Sequence, residues 1–262
     1  MVTGHLHVNR DIILASRRQF LQERKKRIPI EAVLAMAQMQ SRPRPILNMM
    51  QEEGVVTLIA QITRTPVYDP VTAALTCVQE GAQAIAFFTD HALYHGDYED
   101  MLMVARGVRN TPVICENYMP DEYSVLTARA ADASALVLHS SVLEEKALRQ
   151  TVVATQKNKM TAIVQISHMG QLGLVQSLSP HAIAFGDDGT GTLEESLKHL
   201  AACRDTFPAY TRVMLMHCLE TVEEVEAALE ARVHAVIVSE TLMRQDKRIS
   251  KIRRLVNHPM AT

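Results

Sequence analysis

Histidine, cysteine and carboxylate side chains stand at the ends of several short apolar runs in this sequence. Glu116, His139 and the pair His217 and Cys218 are examples. Such side chains can transfer protons near neutral pH, and together they can bind a divalent metal ion. Neighbouring residues on a strand point to opposite faces, so His217 is not placed to activate Cys218 as a nucleophile. No HxH or HExxH spacing occurs among them, and we predict neither a metal site nor a cofactor.

The apolar runs recur at regular intervals from Thr57 onward. Eight of them are short and rich in aliphatic residues, which predicts strands over Thr57–Ile62, Ala84–Thr89, Pro112–Glu116, Ala135–His139, Ala162–Ile166, Ala182–Phe185, Arg212–His217 and Ala235–Ser239. Segments of helical period follow them, over Val71–Glu80, Tyr98–Val108, Asp121–Ala131, Leu143–Lys157, Met169–Leu178, Leu193–Thr206, Thr221–Ala231 and Lys247–Asn257.

Eight strand–helix units predict an α/β fold of the (β/α)8 TIM-barrel type, which typically takes about 250 residues. A doubly wound open sheet is the alternative, but its glycine-rich GxGxxG turn does not occur. Residues 9–53 have helical patterns interrupted by Pro29, Pro43 and Pro45. We therefore expect residues 1–54 to form an N-terminal helical extension packed on a barrel of residues 55–262, within a single domain.

In such a barrel the carboxyl ends of the strands form one rim, and that rim carries the active site. The predicted rim residues are Gln61, Thr63, Arg64, Thr89, Asp90, His91, Cys115, Glu116, His139, Gln165, His168, Asp187, Asp188, His217, Cys218, Ser239 and Glu240.

The composition excludes several classes of function. The chain has 262 residues with 27 basic and 29 acidic side chains, a balance that argues against general binding to nucleic acid or to a membrane surface. No run of about 18 apolar residues occurs, so no spanning helix is expected. The four cysteines are scattered without a CxxC pair, and the N-terminus lacks the apolar run of a signal peptide. A reduced, cytoplasmic location is predicted.

Several collinear segments resemble one enzyme family. They are DIILASRRQFLQERKKRIPIEAV from residue 11, LIAQI from residue 58, AIAFFTDHALYHGDYEDM from residue 84, TPVICENYMPDEYSVLTARAADASALVL from residue 111 and ETLM from residue 240. The chain resembles indole-3-glycerol phosphate synthase from Arg10 to Met243. This resemblance implies a TIM barrel and a carbon–carbon lyase that closes and decarboxylates an anthranilate-derived ribulose phosphate in tryptophan biosynthesis.

The positions that carry the chemistry in that family hold other residues here. The resemblance places a first-strand lysine at Thr63 and a glutamate at Gln61. It places a third-strand lysine at Glu116 and a fifth-strand glutamate at Gln165. The other replaced positions are a sixth-strand asparagine at Gly186, an arginine at Asp188, a Glu-Ser-Gly sequence at Met216, His217 and Cys218, and a phosphate-binding glycine at Ser239.

Three hypotheses follow from these replacements. The chain is a non-catalytic binding, regulatory or scaffold protein; or an enzyme of changed chemistry on a histidine- and carboxylate-rich rim, with or without a metal; or a synthase with relocated catalytic groups. The expected partners are a small-molecule or sugar-phosphate-like ligand and a protein partner. We predict no retained catalytic residue, and the pocket candidates are Glu116, His139, Gln165 and His217, with Gln61, Thr63, Arg64, Tyr94, Tyr118, Ser239 and Thr241 as ligand-pocket residues.

Overall fold

A closed barrel of eight parallel strands, each paired with its neighbours in chain order, forms the centre of the protein in a computed structural model. The structure describes residues 10–50, 56–62, 69–90, 96–186, 191–208 and 210–244, with side chains from residue 14 onward. The strands are β1 (Thr57–Ile62), β2 (Ala84–Phe88), β3 (Val113–Glu116), β4 (Ala135–His139), β5 (Thr161–Ile166), β6 (Ala182–Phe185), β7 (Arg212–Leu219) and β8 (Ala235–Ser239). The predicted TIM barrel is confirmed.

Ten α-helices lie within the described residues. They are α1 (Arg10–Arg27), α2 (Ile30–Met39), α3 (Pro70–Gln79), α4 (Tyr98–Gly107), α5 (Glu122–Ala130), α6 (Glu145–Lys157), α7 (Leu172–Ser177), α8 (Leu193–Cys203), α9 (Val222–Glu230) and α10 (Glu240–Arg244). Short 3-10 helices occupy Ile46–Met50, Met169–Gln171 and Arg204–Thr206. The predicted helix Lys247–Asn257 lies outside the described residues.

Side-chain alternation along the strands separates two buried clusters. One face of each strand packs against the surrounding helices, as Leu58 and Leu215 do. The opposite face fills the barrel lumen with small and branched residues such as Ala84 and Ile163. Ile46 and Met50 pack against this lumen cluster, so the 3-10 helix before β1 contributes to its hydrophobic filling.

Side-chain caps fix where several helices begin after their strands. The Asp69, Asp97 and Asp121 carboxylates accept hydrogen bonds from the first backbone N–H groups of α3, α4 and α5. Thr192 and Thr221 form capping boxes with Glu195 and Glu224 at the starts of α8 and α9. These caps hold the ends of the loops that surround the barrel mouth.

The two N-terminal helices pack against the barrel near α4 and α5. Helix α2 lies on α5, where Val33 and Ala37 join Tyr123 and Leu126 in a small buried cluster. The Arg17 side chain of α1 is 3% exposed and reaches into the barrel wall. The division into residues 1–54 and 55–262 stays a prediction, although these contacts agree with an extension packed on the barrel.

Strand β7 is longer than the predicted Arg212–His217. It pairs with β8 on both sides of an irregularity, first at Leu215 and Val236 and again at Cys218 and Ile237. Two additional β7 residues lie between these pairs, so the strand continues to Leu219 while its inward and outward alternation is kept. The predicted single helix Met169–Leu178 is divided into a 3-10 turn and the short helix α7.

Within the described residues, no helix combines the length and apolar character that crossing a membrane requires. All four cysteines are free thiols.

Candidate functional site

The lumen ends at the carboxyl side of the barrel in a layer of eight residues, one from each strand or its end, which we call the mouth layer. It follows from strand alternation, because the lumen residues Ile59, Ile114, Ile163 and Met214 are followed two positions later by Gln61, Glu116, Gln165 and Met216. On the other four strands, the lumen residues Ala86, Val137, Ala184 and Ile237 are followed in the same way by Phe88, His139, Gly186 and Ser239. The mouth layer therefore includes the sequence-predicted Gln61, Glu116, His139, Gln165 and Ser239.

Glu116 is the buried carboxyl group of the mouth layer. Its side chain is 5% exposed, and burial raises its pKa to about 8. A hydrogen bond from the Gln61 side chain favours the charged form but offsets only part of the burial effect. The Oε1 atom is buried and has no hydrogen-bond partner among the described residues. Glu116 is therefore mostly protonated at neutral pH.

Cys218 lies on the lumen side of β7, since it pairs with the lumen residue Ile237. Its surface is exposed at the mouth, yet desolvation and the charges of Glu116, Glu220 and Glu224 raise its pKa to about 12. A thiol with this pKa is protonated at neutral pH and is a poor nucleophile. The raised pKa argues against nucleophilic catalysis by Cys218.

His139 forms an aromatic pair with Tyr118 beside the lumen. Their ring centroids are 4.8 Å apart, with planes inclined by 41°. The Tyr118 backbone carbonyl accepts a hydrogen bond from Arg17 Nε at 3.3 Å. Arg17 also donates to the Tyr98 hydroxyl, and its guanidinium lies over the rings of Phe20 and Tyr98. Helix α1 thus holds the segment that carries Tyr118.

Gly186 allows β6 to approach the neighbouring strand β7. A β-carbon at this position would lie 2.7 Å from Met216 Cβ and 3.3 Å from Gln165 Nε2. The larger side chain of Met216 therefore occupies the space beside Gly186. Phe88, Gly186 and Met216 were not among the predicted pocket residues, and strand parity was the signal that could have found them.

Three predicted rim residues face away from the lumen. His217 Nε2 lies 2.7 Å from the Ser196 hydroxyl of α8. Thr89 accepts a hydrogen bond from Asn117 at 2.9 Å and contacts the Cys115 thiol at 3.4 Å in a buried group. The structure does not bring His217, Thr89 or Cys115 into the mouth layer.

Two further predicted residues lie at the start of α10. The Ser239 hydroxyl accepts a hydrogen bond from the Leu242 backbone N–H at 3.1 Å, and Thr241 is exposed on the helix. His168 is also exposed, at the beginning of the 3-10 turn after β5. Asp90 is buried after β2, and Glu240 forms an ion pair with Arg244 within α10. The other predicted residues lie outside the described part of the chain: Thr63, Arg64, His91, Tyr94, Asp187 and Asp188.

Among the residues that the structure describes, no three histidine, cysteine or carboxylate side chains come together in an arrangement that could hold a metal ion. The mouth layer instead offers two amides, one protonated carboxyl, an imidazole and a hydroxyl, and the Cys218 thiol lies on the same side of β7. Such groups donate and accept hydrogen bonds. At neutral pH its described side chains present no permanent cation.

The sequence of the whole barrel matches a known family. The family model described as "Indole-3-glycerol phosphate synthase" matches residues 10–255. The chain belongs to the indole-3-glycerol phosphate synthase family. It is 23% identical over 244 residues to the synthase of Zymomonas mobilis subsp. pomaceae, covering 89% of this chain and 92% of that protein. It is 24% identical over 258 residues to the Roseiflexus sp. synthase, covering 93% and 96%.

Solved structures confirm the fold at low sequence identity. The carboxyl transferase domain of Rhizobium etli pyruvate carboxylase with 3-bromopyruvate has a TM-score of 0.59 and 13% identity, covering 80% of this chain and 48% of that one. Thiamine phosphate pyrophosphorylase from Pyrococcus furiosus has a TM-score of 0.58 and 12% identity, covering 80% and 98%. These likenesses concern the fold alone.

Proposed function

We propose that this member of the synthase family has lost the synthase reaction and keeps its barrel mouth as a binding site for a small molecule, in a regulatory or scaffold role. One observation carries the proposal. Glu116 is a buried, mostly neutral carboxyl at the position where the family resemblance implies a lysine general acid.

Proton transfer is the first reason. Ring closure requires a protonated group that donates to the departing hydroxyl and a carboxylate that receives the proton lost from the forming indole. The resemblance implies carboxylates at Gln61 and Gln165, but amide side chains do not titrate near neutral pH. Loss of one general acid or base typically lowers a rate by about 10²–10⁴-fold. Loss of several such groups leaves little turnover.

Charge is the second reason. The family's substrate carries a phosphate and a carboxylate, whereas Glu116 is neutral or negative. The Ser239 hydroxyl already accepts a hydrogen bond from the Leu242 N–H, and Cys218 stands where the resemblance implies glycine. A phosphate site beside a helix N-terminus needs free backbone N–H groups and close approach. These residues favour a ligand that lacks the phosphate and the carboxylate of the family's substrate.

A second candidate function is the synthase reaction with relocated catalytic groups. The match over residues 10–255 supports it, and so does the Glu116 pKa of about 8. A carboxyl that is protonated at neutral pH can act as a general acid. In this candidate Glu116 would supply the proton that the family's lysine otherwise supplies.

A steady-state assay of the purified protein on the synthase substrate tests the proposal. We expect no turnover within about a hundredfold of ordinary enzyme rates of 1–10³ s⁻¹. Turnover in that range overturns the proposed loss of activity. Its disappearance in Glu116→Gln, with a basic limb of the kcat profile near pH 8, would establish the second candidate.

A further inference from the structure

We propose that the mouth layer binds its ligand through a protonated amine placed against the Glu116 carboxylate, with an aromatic or apolar body beside His139 and Tyr118. This inference rests on the proposed function, because it specifies the chemistry of the small molecule that the barrel mouth binds. It selects against phosphate and carboxylate groups.

Glu116 supplies the primary contact. Its Oε1 atom is buried without a hydrogen-bond partner among the described residues, on a strand face that points into the lumen. An unsatisfied buried acceptor is costly, and a ligand donor that reaches it removes this cost. An ammonium group has three N–H donors and no acceptor. The Gln61 side chain, which donates a hydrogen bond to Glu116, adds an amide oxygen that can accept another of these protons.

The loops around the mouth have the charge that such a ligand requires. Between the end of each strand and the next described helix, the residues that the structure describes include no lysine or arginine. The same described residues include six acids: Asp69, Asp90, Asp97, Asp121, Glu144 and Glu220. Asp121 is paired with Lys25 at 2.5 Å. This excess of acids attracts cations to the mouth and repels anions.

The rings beside Glu116 indicate the chemical character of the uncharged part of the ligand. Phe88 is in register with Glu116 on the neighbouring strand. His139 and Tyr118 form their tilted ring pair on the other side of β3. Aromatic groups pack well in offset or tilted arrangements with other rings. A phenyl-bearing alkylammonium therefore suits both the carboxyl and the rings.

Binding of an ammonium releases a proton from Glu116. The neutral carboxyl becomes a carboxylate, its proton leaves to solvent, and the ligand keeps its own charge. The titratable groups on the same side of the barrel wall as Glu116 are Cys218 and His139, and the Cys218 thiol has a pKa raised to about 12. Cys115 precedes Glu116 on β3 and points to the opposite face. With a pKa of about 8, ionisation of Glu116 makes the affinity rise about 50-fold between pH 6 and pH 8. An alkylammonium stays charged over this range because its pKa is about 10.

The test uses three probes of similar shape: 2-phenylethylamine, 2-phenylethanol and 3-phenylpropionate. Isothermal titration of the whole protein at pH 6, 7 and 8 measures each dissociation constant and, from buffers of different ionisation enthalpy, the number of protons released. We expect 2-phenylethylamine to bind more tightly than the other two probes. Its affinity should be higher at pH 8 than at pH 6, and its binding at pH 7 should release nearly one proton. Tighter binding of the alcohol or of the carboxylate overturns the amine assignment but leaves a small-molecule site in place.

Glu116→Gln is the deciding variant, since it keeps the shape of the side chain and removes its charge. We expect amine affinity at pH 8 to fall by about 10- to 100-fold, and the pH dependence to disappear. Glu220→Gln removes one charge from the rim outside the mouth layer, and we expect a change of less than about threefold. Equal losses in the two variants would mean that the overall field, not Glu116, selects the ligand.

The two proposals fail in different ways. Binding of none of the three probes, together with turnover of the synthase substrate, overturns both. Binding of the alcohol or carboxylate alone overturns only the inference about the amine. Thermal unfolding of each variant without probe verifies that the barrel is folded.

Discussion

The β-carbon of Met216 lies 2.7 Å from the point where a β-carbon on Gly186 would stand. Two strands therefore meet at the mouth at a distance that only glycine permits. The family resemblance implies asparagine at 186, and the β-carbon of an asparagine does not fit with this backbone spacing. The absence of a side chain on residue 186 leaves the space beside Met216. The mouth has been repacked around an apolar side chain rather than merely deprived of polar ones.

The contact between Gly186 and Met216 predicts a specific pattern of rescue. Gly186→Ala should destabilise the protein by about 1–3 kcal/mol through overpacking. Met216→Ala should not relieve this cost, since alanine keeps the β-carbon, whereas Met216→Gly should relieve part of it. Urea unfolding of the single and double variants measures the coupling.

Gly173 provides the matched control for this experiment. A β-carbon there meets no atom within 4 Å, and the residue lies in α7. Gly173→Ala should therefore be neutral or stabilising by up to about 1 kcal/mol. Equal effects of alanine at both glycines would contradict the close approach at Gly186.

Burial of Glu116 predicts a pH dependence of stability. Its pKa is about 8 in the folded protein against an ordinary value of 4.5. Because the pKa is raised in the folded state, the contribution of Glu116 to the free energy of unfolding is complete below pH 4.5. This contribution is lost as the pH rises to about 8. The loss is about 1.4 kcal/mol per pH unit in that window. Glu116→Gln should remove this trend. The stability of the variant relative to the wild type should therefore increase as the pH rises.

Urea midpoints of both proteins at unit intervals from pH 5 to pH 9 measure this difference. The curves should diverge up to about pH 8 and run parallel above it. Glu220→Gln separates the effect of burial from the effect of charge number. Parallel curves over the whole range would show that residue 116 is ionised in the folded protein at all these pH values.

Much of this architecture was predictable from the sequence, and the reason is local. Strands such as Thr57–Ile62 and Ala182–Phe185 are short apolar runs, and their predicted bounds agree with the structure. The irregularity in β7 was not predictable, because Met216 and His217 continue an ordinary strand pattern. The fit between Gly186 and Met216 was also hidden, since it depends on the distance between two strands. The residues at each strand end could be identified from the sequence. Deciding which of them face the lumen and which face the helices required the alternation of side chains along each strand.

His139 and His217 form a matched pair for testing this separation. Both were predicted as pocket residues, but His139 lies in the mouth layer beside Tyr118 and His217 bonds to Ser196 outside it. His139→Ala should weaken 2-phenylethylamine binding about tenfold through loss of the ring contact. His217→Ala should leave binding unchanged and lower stability by about 1 kcal/mol. Titration and urea unfolding measure the two effects, and a binding loss confined to His217→Ala would reverse the assignment.

Arg17 predicts a link between helix α1 and the mouth. Its guanidinium is buried, donates to the Tyr98 hydroxyl and the Tyr118 carbonyl, and thereby fixes the segment that carries the ring beside His139. Arg17→Met should lower stability by about 2–4 kcal/mol, because buried acceptors lose a charged donor. It should also weaken 2-phenylethylamine binding, because Tyr118 is no longer held. The neighbouring Arg18 is exposed, so Arg18→Met provides a control with the same replacement on the same helix. If Arg17→Met lost stability but kept full affinity, the link would be structural, and helix α1 would have no part in shaping the mouth.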